Sequence, residues 1–415
     1  MKVLSLYDGM SCGMLAFLKA GIHVNRYVAY EIDKYAIRTS KHNFPSVEQK
    51  GDVFGADFTQ YEGFDFVIGG SPCTYWSIAQ KNNRETEASG MGWELFSQYV
   101  RAIHEAKPKF FVYENNKSMS KQIRASIDEA FGFEAICINS ALVSAQNRQR
   151  LYWVGKRNED GTYGKVPVEQ PEDLGILLKD VLDNAVAWRE KSHGGNLSSF
   201  TKQSGQRFMA AEPVNVTEDG KSQTIKAQYY KNSVANFCRY SSTYGASGVA
   251  EPVANKTLDR AMPEIVEKYG YLPEMFNAYN RAEITDKAPT LSTGSMVTSS
   301  CAVNRLEKIE GYAIACEWDE DGKPIKAVSG ADGKTYDVYE VKNGMITIKG
   351  KQYPIKLVDG FYIIRKLTVT ECMRLQTVPE WYEFPVSNAQ AYKVLGNGWT
   401  VNVIAHIFTN IKNKE

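Results

Sequence analysis

Short apolar runs alternate with amphipathic segments along residues 1–157, and this alternation narrows the fold more than any other feature. Residues 3–7, 24–30, 64–68, 110–113, 135–140 and 150–154 read as strands. Residues 13–20, 33–43, 93–106 and 121–131 carry helical spacing between them. Unbroken apolar runs such as 64–68 suit strands covered on both faces. Strands separated by helices predict an α/β fold with a doubly wound, mostly parallel sheet. Ligands of such sheets gather outside the carboxyl ends of the strands. The residues at each strand end are therefore the first place to look for chemistry.

The pattern changes near residue 160. From there to about 365 the chain is rich in Gly, Ser, Thr, Asn and Lys, and short strands are expected at 336–341, 345–348 and 353–358, with a short helix at 177–182. Two segments of similar wording, 220–226 around Thr224 and 286–292 around Thr290, lie in this region. Helical signals return at 368–375, where Thr368 and Glu371 have capping-box spacing. A glycine turn at 396–398 is expected to open an amphipathic helix running to about residue 407. The expected organisation is residues 1–160, an inserted and mainly β segment 161–365, and a return to the first domain over 366–415.

With 49 basic and 48 acidic residues the net charge is +1, so a nucleic-acid surface would have to be a local basic cleft. The seven cysteines form no CxxC pair, which argues against a disulfide framework and a zinc site and for a reducing, cytoplasmic compartment. Five histidines without HxH or HExxH spacing make a catalytic metal unexpected. No apolar run approaches membrane-spanning length, and the N-terminus lacks a signal-peptide pattern.

Gly69-Gly70-Ser71-Pro72-Cys73 follows the strand at 64–68, and places a cysteine, stiffened by Pro72, at a strand end. The next strand ends in Glu114. At the other side of the sheet the first strand ends in Tyr7, Asp8 and Gly9, the second in Glu31, and Asp52 follows Gly51 near the third. The first turn is neither GxGxxG nor a P-loop, so a phosphate cradle is disfavoured. Three acids at successive strand ends fit a nucleoside with an uncharged tail and a cationic sulfonium, namely S-adenosylmethionine. Glu31 is expected on the ribose hydroxyls and Asp52 on the adenine amino group. Asp8 and Asn397 are expected near the methionine end, with Tyr7 or Trp399 against the adenine or methionine portion.

In its motifs the chain resembles the DNA cytosine-5 methyltransferase family over residues 1–157 and 366–410. Pro72-Cys73 with Ser77 looks like the family's nucleophile motif, Glu114-Asn115 like its glutamate motif, and Gln146-Asn147-Arg148-Gln149-Arg150 like its QxRxR motif. Arg374, Gln376 and Pro379, then Gly396-Asn397 with Val401, resemble the closing motifs in order. The first turn and the Gly398-Trp399 pair look more like the animal de novo branch, and Asn116 stands where valine is usual. The resemblance implies a sheet of the S-adenosylmethionine-dependent methyltransferase type, with 161–365 as target recognition domain. It adds Met10, Cys12, Ile32, Val53, Pro72 and Leu95 to the expected cofactor pocket. It implies double-stranded DNA as partner, a restriction endonuclease as a second partner in a bacterial or phage-infected cell, and neither metal nor membrane.

The chemistry asks for these residue types. Cytosine C5 becomes nucleophilic once a thiolate adds at C6. Cys73 is expected as nucleophile. Charge builds at N3, where a neutral carboxylic acid or a tight hydrogen-bond donor must wait, and Glu114 is expected there. Arg148 is expected to hold the base's O2, with Arg150 orienting Arg148 or a phosphate. The target base must be flipped from the duplex. The loop 74–92, with Gly90 and Gly92, looks like a lid over it. Ser77, Lys81, Arg84, Gln146, Arg148, Arg150, Thr224 and Thr290 are the expected DNA contacts. An RNA cytosine methyltransferase of the same family and a catalytically silent DNA-binding member stand as alternatives.

Overall fold

Strands form where the apolar runs stand. The computed structural model describes residues 1–77, 84–181, 264–271, 276–277, 282–283, 301–306, 327–329, 335–348, 351–354 and 360–414. These residues fall into two compact units, one drawn from 1–176 and 373–414, the other from the described residues between 177 and 372. The first unit contains β1 (Lys2–Leu6), α1 (Cys12–Lys19), β2 (Arg26–Tyr30), α2 (Lys34–Asn43), β3 (Glu48–Gln49) and β4 (Phe66–Gly69). It continues with α3 (Gly90–Ala106), β5 (Phe110–Asn116), α4 (Lys121–Phe131), β6 (Ile136–Asn139), β7 (Gln149–Arg157) and β8 (Tyr163–Lys165).

The sheet order is β3-β2-β1-β4-β5-β7-β6, with β8 on the end of β7. The pairs from β3 to β5 are parallel, and β7 runs antiparallel to β5, β6 and β8. The chain steps outward from β1 to β3, then restarts at β4 on the other side of β1, so the strand order reverses between β1 and β4. Register puts Tyr30, Leu6, Gly69, Tyr113 and Trp153 in one row across the sheet. The residues just past that row on β2, β1, β4 and β5 are Glu31, Tyr7, Gly70 and Glu114, and they stand side by side at a topological switch point.

Three differences from expectation bear on the site. β5 runs three residues past Tyr113 because β7 pairs with it as far as Asn116 opposite Arg150. Glu114 is therefore held within a strand. α3 begins at Gly90 rather than Trp93. The last segment forms two helices of this unit, α6 (Asn388–Asn397) and α7 (Val401–Lys412), joined by Gly398, Trp399 and Thr400. The preceding helix, α5 (Val369–Leu375), carries the expected capping box: Glu371 N donates to Thr368 Oγ1, and Thr368 N to the Glu371 carboxylate.

α7 is amphipathic and buries its apolar face on α1 and the sheet. Phe408 stacks on Phe17 with centroids 3.9 Å apart, and meets Phe66 edge-on at 5.7 Å. On the opposite face of the sheet α3 and α4 cover an aromatic cluster of Phe96, Tyr99, Tyr113, Phe131 and Trp153.

The second unit is built of antiparallel strands. β11 (Cys301–Leu306), β16 (Gly360–Lys366), β13 (Thr335–Lys342), β14 (Met345–Ile348) and β15 (Lys351–Pro354) pair in that spatial order. β12 (Ala327–Ser329) pairs with β13, and β9 (Phe276–Asn277) with β10 (Ala282–Glu283). Asn343 and Gly344, both at positive φ, make the two-residue turn between β13 and β14. The third expected strand lies at 351–354 rather than 353–358, and the helix expected at 177–182 is one turn, Leu178–Val181. The segments around Thr224 and Thr290 lie outside the described residues. Among the described residues no helix is long and apolar enough to cross a membrane.

Phe408 has no exposed surface and is shared between helix and sheet. Phe408→Ala should destabilise the first unit by about 3–5 kcal/mol. Urea unfolding monitored by tryptophan fluorescence checks this, and a loss below about 1 kcal/mol would contradict the packing.

Candidate active site

Cys73 begins a single 3₁₀ turn, Cys73–Tyr75, directly after the β4 tip. The turn is held from below by a buried network. Ser71 Oγ and Tyr113 Oη lie 2.6 Å apart, and Asn115 Nδ2 donates to Ser71 O and to Tyr113 Oη, both at 3.1 Å. Alternation along β5 explains the division of labour. Tyr113 and Asn115 share the side facing Ser71, while Glu114 and Asn116 share the other. Asn116 Nδ2 donates to Cys73 O at 3.4 Å, and its side chain also hydrogen-bonds the thiol. Sequence reading missed Asn116, although its departure from the usual valine marked it.

Glu114 and Arg150 form a buried ion pair. Arg150 Nε lies 2.9 Å from Glu114 Oε1, with the two side chains 8% and 12% exposed. The second oxygen, Oε2, accepts from Trp399 Nε1 at 3.0 Å. A Cβ on Gly70 would lie 2.7 Å from both the Glu114 carbonyl oxygen and Oε2, so only glycine allows the carboxylate this position. Arg148 behaves differently. Its guanidinium donates to the carbonyls of Gly396 at 3.5 Å and Gly398 at 2.8 Å. Arg150 thus meets Glu114, and Arg148 ties β7 to the α6–α7 turn. Burial, then the charge of Arg150, holds the Arg148 guanidinium below its ordinary value.

The electrostatics of Cys73 follow from this layout. Burial pushes the thiol up, Arg150 pulls it down, Glu114 pushes it up, and Arg148 and Asn116 pull it down. Burial prevails, so the free protein holds Cys73 chiefly as the thiol at neutral pH.

The described residues on either side of 78–83 are tied by hydrogen bonds. Glu85 N donates to Tyr75 O, and the Glu85 carboxylate accepts from Trp76 Nε1 at 3.0 Å and Gly92 N at 3.1 Å. Arg84 donates to Trp76 O and Ser118 O. Both ends of the loop are therefore fastened. Gly92 makes room for these contacts: a Cβ there would lie 2.5 Å from Glu85 Oε2 and from Trp76 Nε1. Arg84 is an anchor rather than a free DNA contact. Gln146, expected on DNA, has no exposed surface, and its amide has no hydrogen-bond partner among the described residues. Arg148 and Arg150 are also buried, and Ser77 is half-buried. Lys81, Thr224 and Thr290 lie outside the described residues.

At the expected cofactor end, the Glu31 carboxylate is fixed by Gly9 N, Ile32 N and Asp33 N, each at 2.8 Å. Beside it Ile32 is 73% exposed, an apolar side chain left in water. Asp52 is exposed, and the carbonyl of Val53 is held by Arg101 of α3. Tyr7 Oη donates to Leu95 O at 2.7 Å, joining the first turn to α3. Pro72 and Asn397 are exposed. Other expected cofactor residues face inward. Met10, Cys12 and Val53 are buried, and burial raises the Cys12 thiol. Asp8 accepts from the hydroxyls of Ser5, Ser11 and Tyr27, and burial pushes it up to about 6. Its carboxylate braces the first turn from inside instead of meeting the methionine end.

A cavity of about 600 Å³ lies at the opposite ends of β4 and β5, lined in part by Phe64, Lys107, Lys109 and Arg157. Lys107 and Lys109 are paired with Glu62 and Asp65, and the cavity lining carries no nucleophile. The candidate site is the row of strand tips.

Comparison with known proteins gives the family. The family model described as C-5 cytosine-specific DNA methylase matches residues 1–413. The chain belongs to this methylase family. It is 23% identical to the orphan methyltransferase M.SPRI of Bacillus phage SPR, over 99% of this chain and 97% of that one. It is 25% identical to the type II methyltransferase M.FnuDI of Fusobacterium nucleatum, over 99% and 94%. A mutant of DNMT2 from Spodoptera frugiperda has the same fold, with a TM-score of 0.50, 14% identity and 99% of both chains covered. The methylase family is one of S-adenosylmethionine-dependent transferases.

In this methylase the charges around Cys73 yield a signed expectation. Alkylation of Cys73 by iodoacetamide, followed by peptide mapping, should rise with pH through a midpoint above the ordinary thiol value. Glu114→Gln removes a raising charge and should move the midpoint down, whereas Arg150→Gln removes a lowering charge and should move it up. Unmoved midpoints in both variants would contradict the layout.

Proposed function

We propose that this methylase transfers a methyl group from S-adenosylmethionine to C5 of a cytosine flipped out of duplex DNA, with Cys73 as covalent nucleophile. The carrying observation is the row of strand tips: Cys73 at β4, with the Glu114–Arg150 pair on β5 and β7 beside it. Two guanidiniums lower the cost of a thiolate there, and a carboxyl group is held where ring charge would build.

The chain's own part in the reaction follows from these groups. Cys73 releases its thiol proton to solvent, Sγ forms a bond to C6, and the C5=C6 electron pair moves toward C5 and N3, where a proton from the solvent-exchanging carboxyl of Glu114 balances the charge. Glu114 faces that N3 side, and the charge of the Arg150 guanidinium, which already orients the carboxylate, lies toward O2. S-adenosylmethionine, when bound, supplies a methyl group activated by a sulfonium. Once C5 carries the methyl, its proton departs, the Sγ–C6 bond breaks, and the ring double bond returns. The strand tips suit that cofactor. Glu31 is preorganised by three backbone N–H groups for ribose hydroxyls, the exposed Ile32 offers an apolar face to adenine, and Asp52 stands near its amino group. Tyr7, Leu95 and Trp399 complete that pocket.

Residues 1–160 and 366–415 form the catalytic domain in this reading, and 161–365 the target recognition domain. An insertion of that length favours DNA, because reading a duplex sequence takes a dedicated surface in the major groove. The full-length relatives named above, from a phage and a bacterium, point the same way.

Bisulfite sequencing of DNA and of RNA from cells expressing the protein tests the proposal. Methylated cytosine is expected in DNA within one recurring sequence, and its loss in Cys73→Ala. Glu114→Gln should slow the reaction by about 10² to 10⁴. Methylation confined to RNA would establish the RNA reading instead, and none in either would leave a silent DNA-binding member.

A further inference from the structure

We infer that Trp399 is a positioning residue for Glu114, and that through it the first turn of α1 and the base-binding carboxyl group share one support. The inference rests on the cytosine chemistry proposed above and adds a residue to it. Glu114 has one donor on each oxygen: Arg150 Nε on Oε1 at 2.9 Å and Trp399 Nε1 on Oε2 at 3.0 Å. The terminal torsion of a glutamate is broad by itself. Two donors from opposite parts of the chain remove that freedom and hold the carboxylate in one plane.

The indole stands on a rigid mount. Gly398 O accepts from Arg148 Nη2 at 2.8 Å and from Gln376 Nε2 at 3.3 Å. Thr400 Oγ1 donates to Gln376 Oε1 at 2.9 Å and accepts from Ser140 Oγ at 2.8 Å. Both neighbours of Trp399 are thus fastened, and Thr400 is buried. The far edge of the ring faces Gly13, where a Cβ would lie 3.7 Å from Trp399 Cζ3, and the Trp399 backbone N–H bonds the Cys12 thiol. One residue therefore touches the first turn of α1 and the carboxylate of β5. Any shift of that turn is passed to Oε2 through a single rigid ring.

A tryptophan that merely fills space would tolerate loss of its N–H. Trp399→Phe keeps the aromatic body and removes only the donor. In protein labelled with ¹⁵N at the indole nitrogens, the resonance missing from Trp399→Phe should be displaced in Glu114→Ala, with the other indole signals in place. An unmoved signal would overturn the inference, and this measurement needs no turnover. In single-turnover assays, Trp399→Phe should lower the methyl-transfer rate about tenfold, as for one lost charged hydrogen bond. Affinity for S-adenosylmethionine should fall by less than the rate, since the aromatic body that completes the cofactor pocket is kept. Adding Trp399→Phe to Glu114→Gln should slow the reaction no further, since both act through one group. Multiplying effects, or a loss confined to cofactor affinity, would also overturn the inference. Absence of cytosine methylation by the unaltered protein would instead refute the proposed function, with the indole spectrum still deciding the contact.

Discussion

The antiparallel pairing of β7 with β5 brings Arg150 beside Glu114, and the rest of the site is arranged about that buried ion pair. Removing two charges from water is costly, and their attraction repays it only with good geometry and further hydrogen bonds. The structure supplies both. Arg150 approaches one oxygen, Trp399 donates to the other, and Gly70 leaves the space the carboxylate needs. The pair also sets the balance at Cys73, where Arg150 lowers the thiol and Glu114 raises it. Burial still prevails in the free protein. A thiolate there is best stabilised once a substrate engages Glu114 and leaves the arginine charges less compensated.

The same dependence explains why the chain must return. Trp399 lies 285 residues from Glu114, yet its donor completes the carboxylate. α7 brings that segment home by stacking Phe408 on Phe17, and Arg148 and Gln376 then lock the Gly398 carbonyl. Core packing of the last helix thus carries through to the site. The nucleophile turn has a separate support in Ser71, Tyr113 and Asn115, and the loop beyond it is fastened by Glu85.

Much of this was legible in the residues. The α/β alternation was clear because buried strands and amphipathic helices differ in period, and α4 stands where its spacing put it. Cys73, Glu114, Arg148 and Arg150 were legible because their motifs stand at strand ends. The partners of each side chain were not. Local pattern told that Arg148 and Arg150 share a neighbourhood, but which one reaches Glu114 depends on the β5–β7 register. Asp8 looked like a ligand for a cofactor because it follows β1, whereas three hydroxyls, one of them from Tyr27, draw it inward. Gly90 and Gly92 helped give the segment 74–92 the look of a lid, because sequence cannot distinguish a glycine that moves from one that makes room.

The central claim, that Cys73 adds to C6 of a cytosine facing Glu114, is tested most directly by a mechanism-based trap. A duplex carrying 5-fluorocytosine at the methylated position, incubated with the protein and S-adenosylmethionine, cannot release the cysteine, because fluorine does not leave as a proton does. The account predicts a complex that survives denaturation and a single modified peptide bearing the nucleotide on Cys73. Attachment through another cysteine, or no attachment by protein that methylates the ordinary duplex, would contradict it.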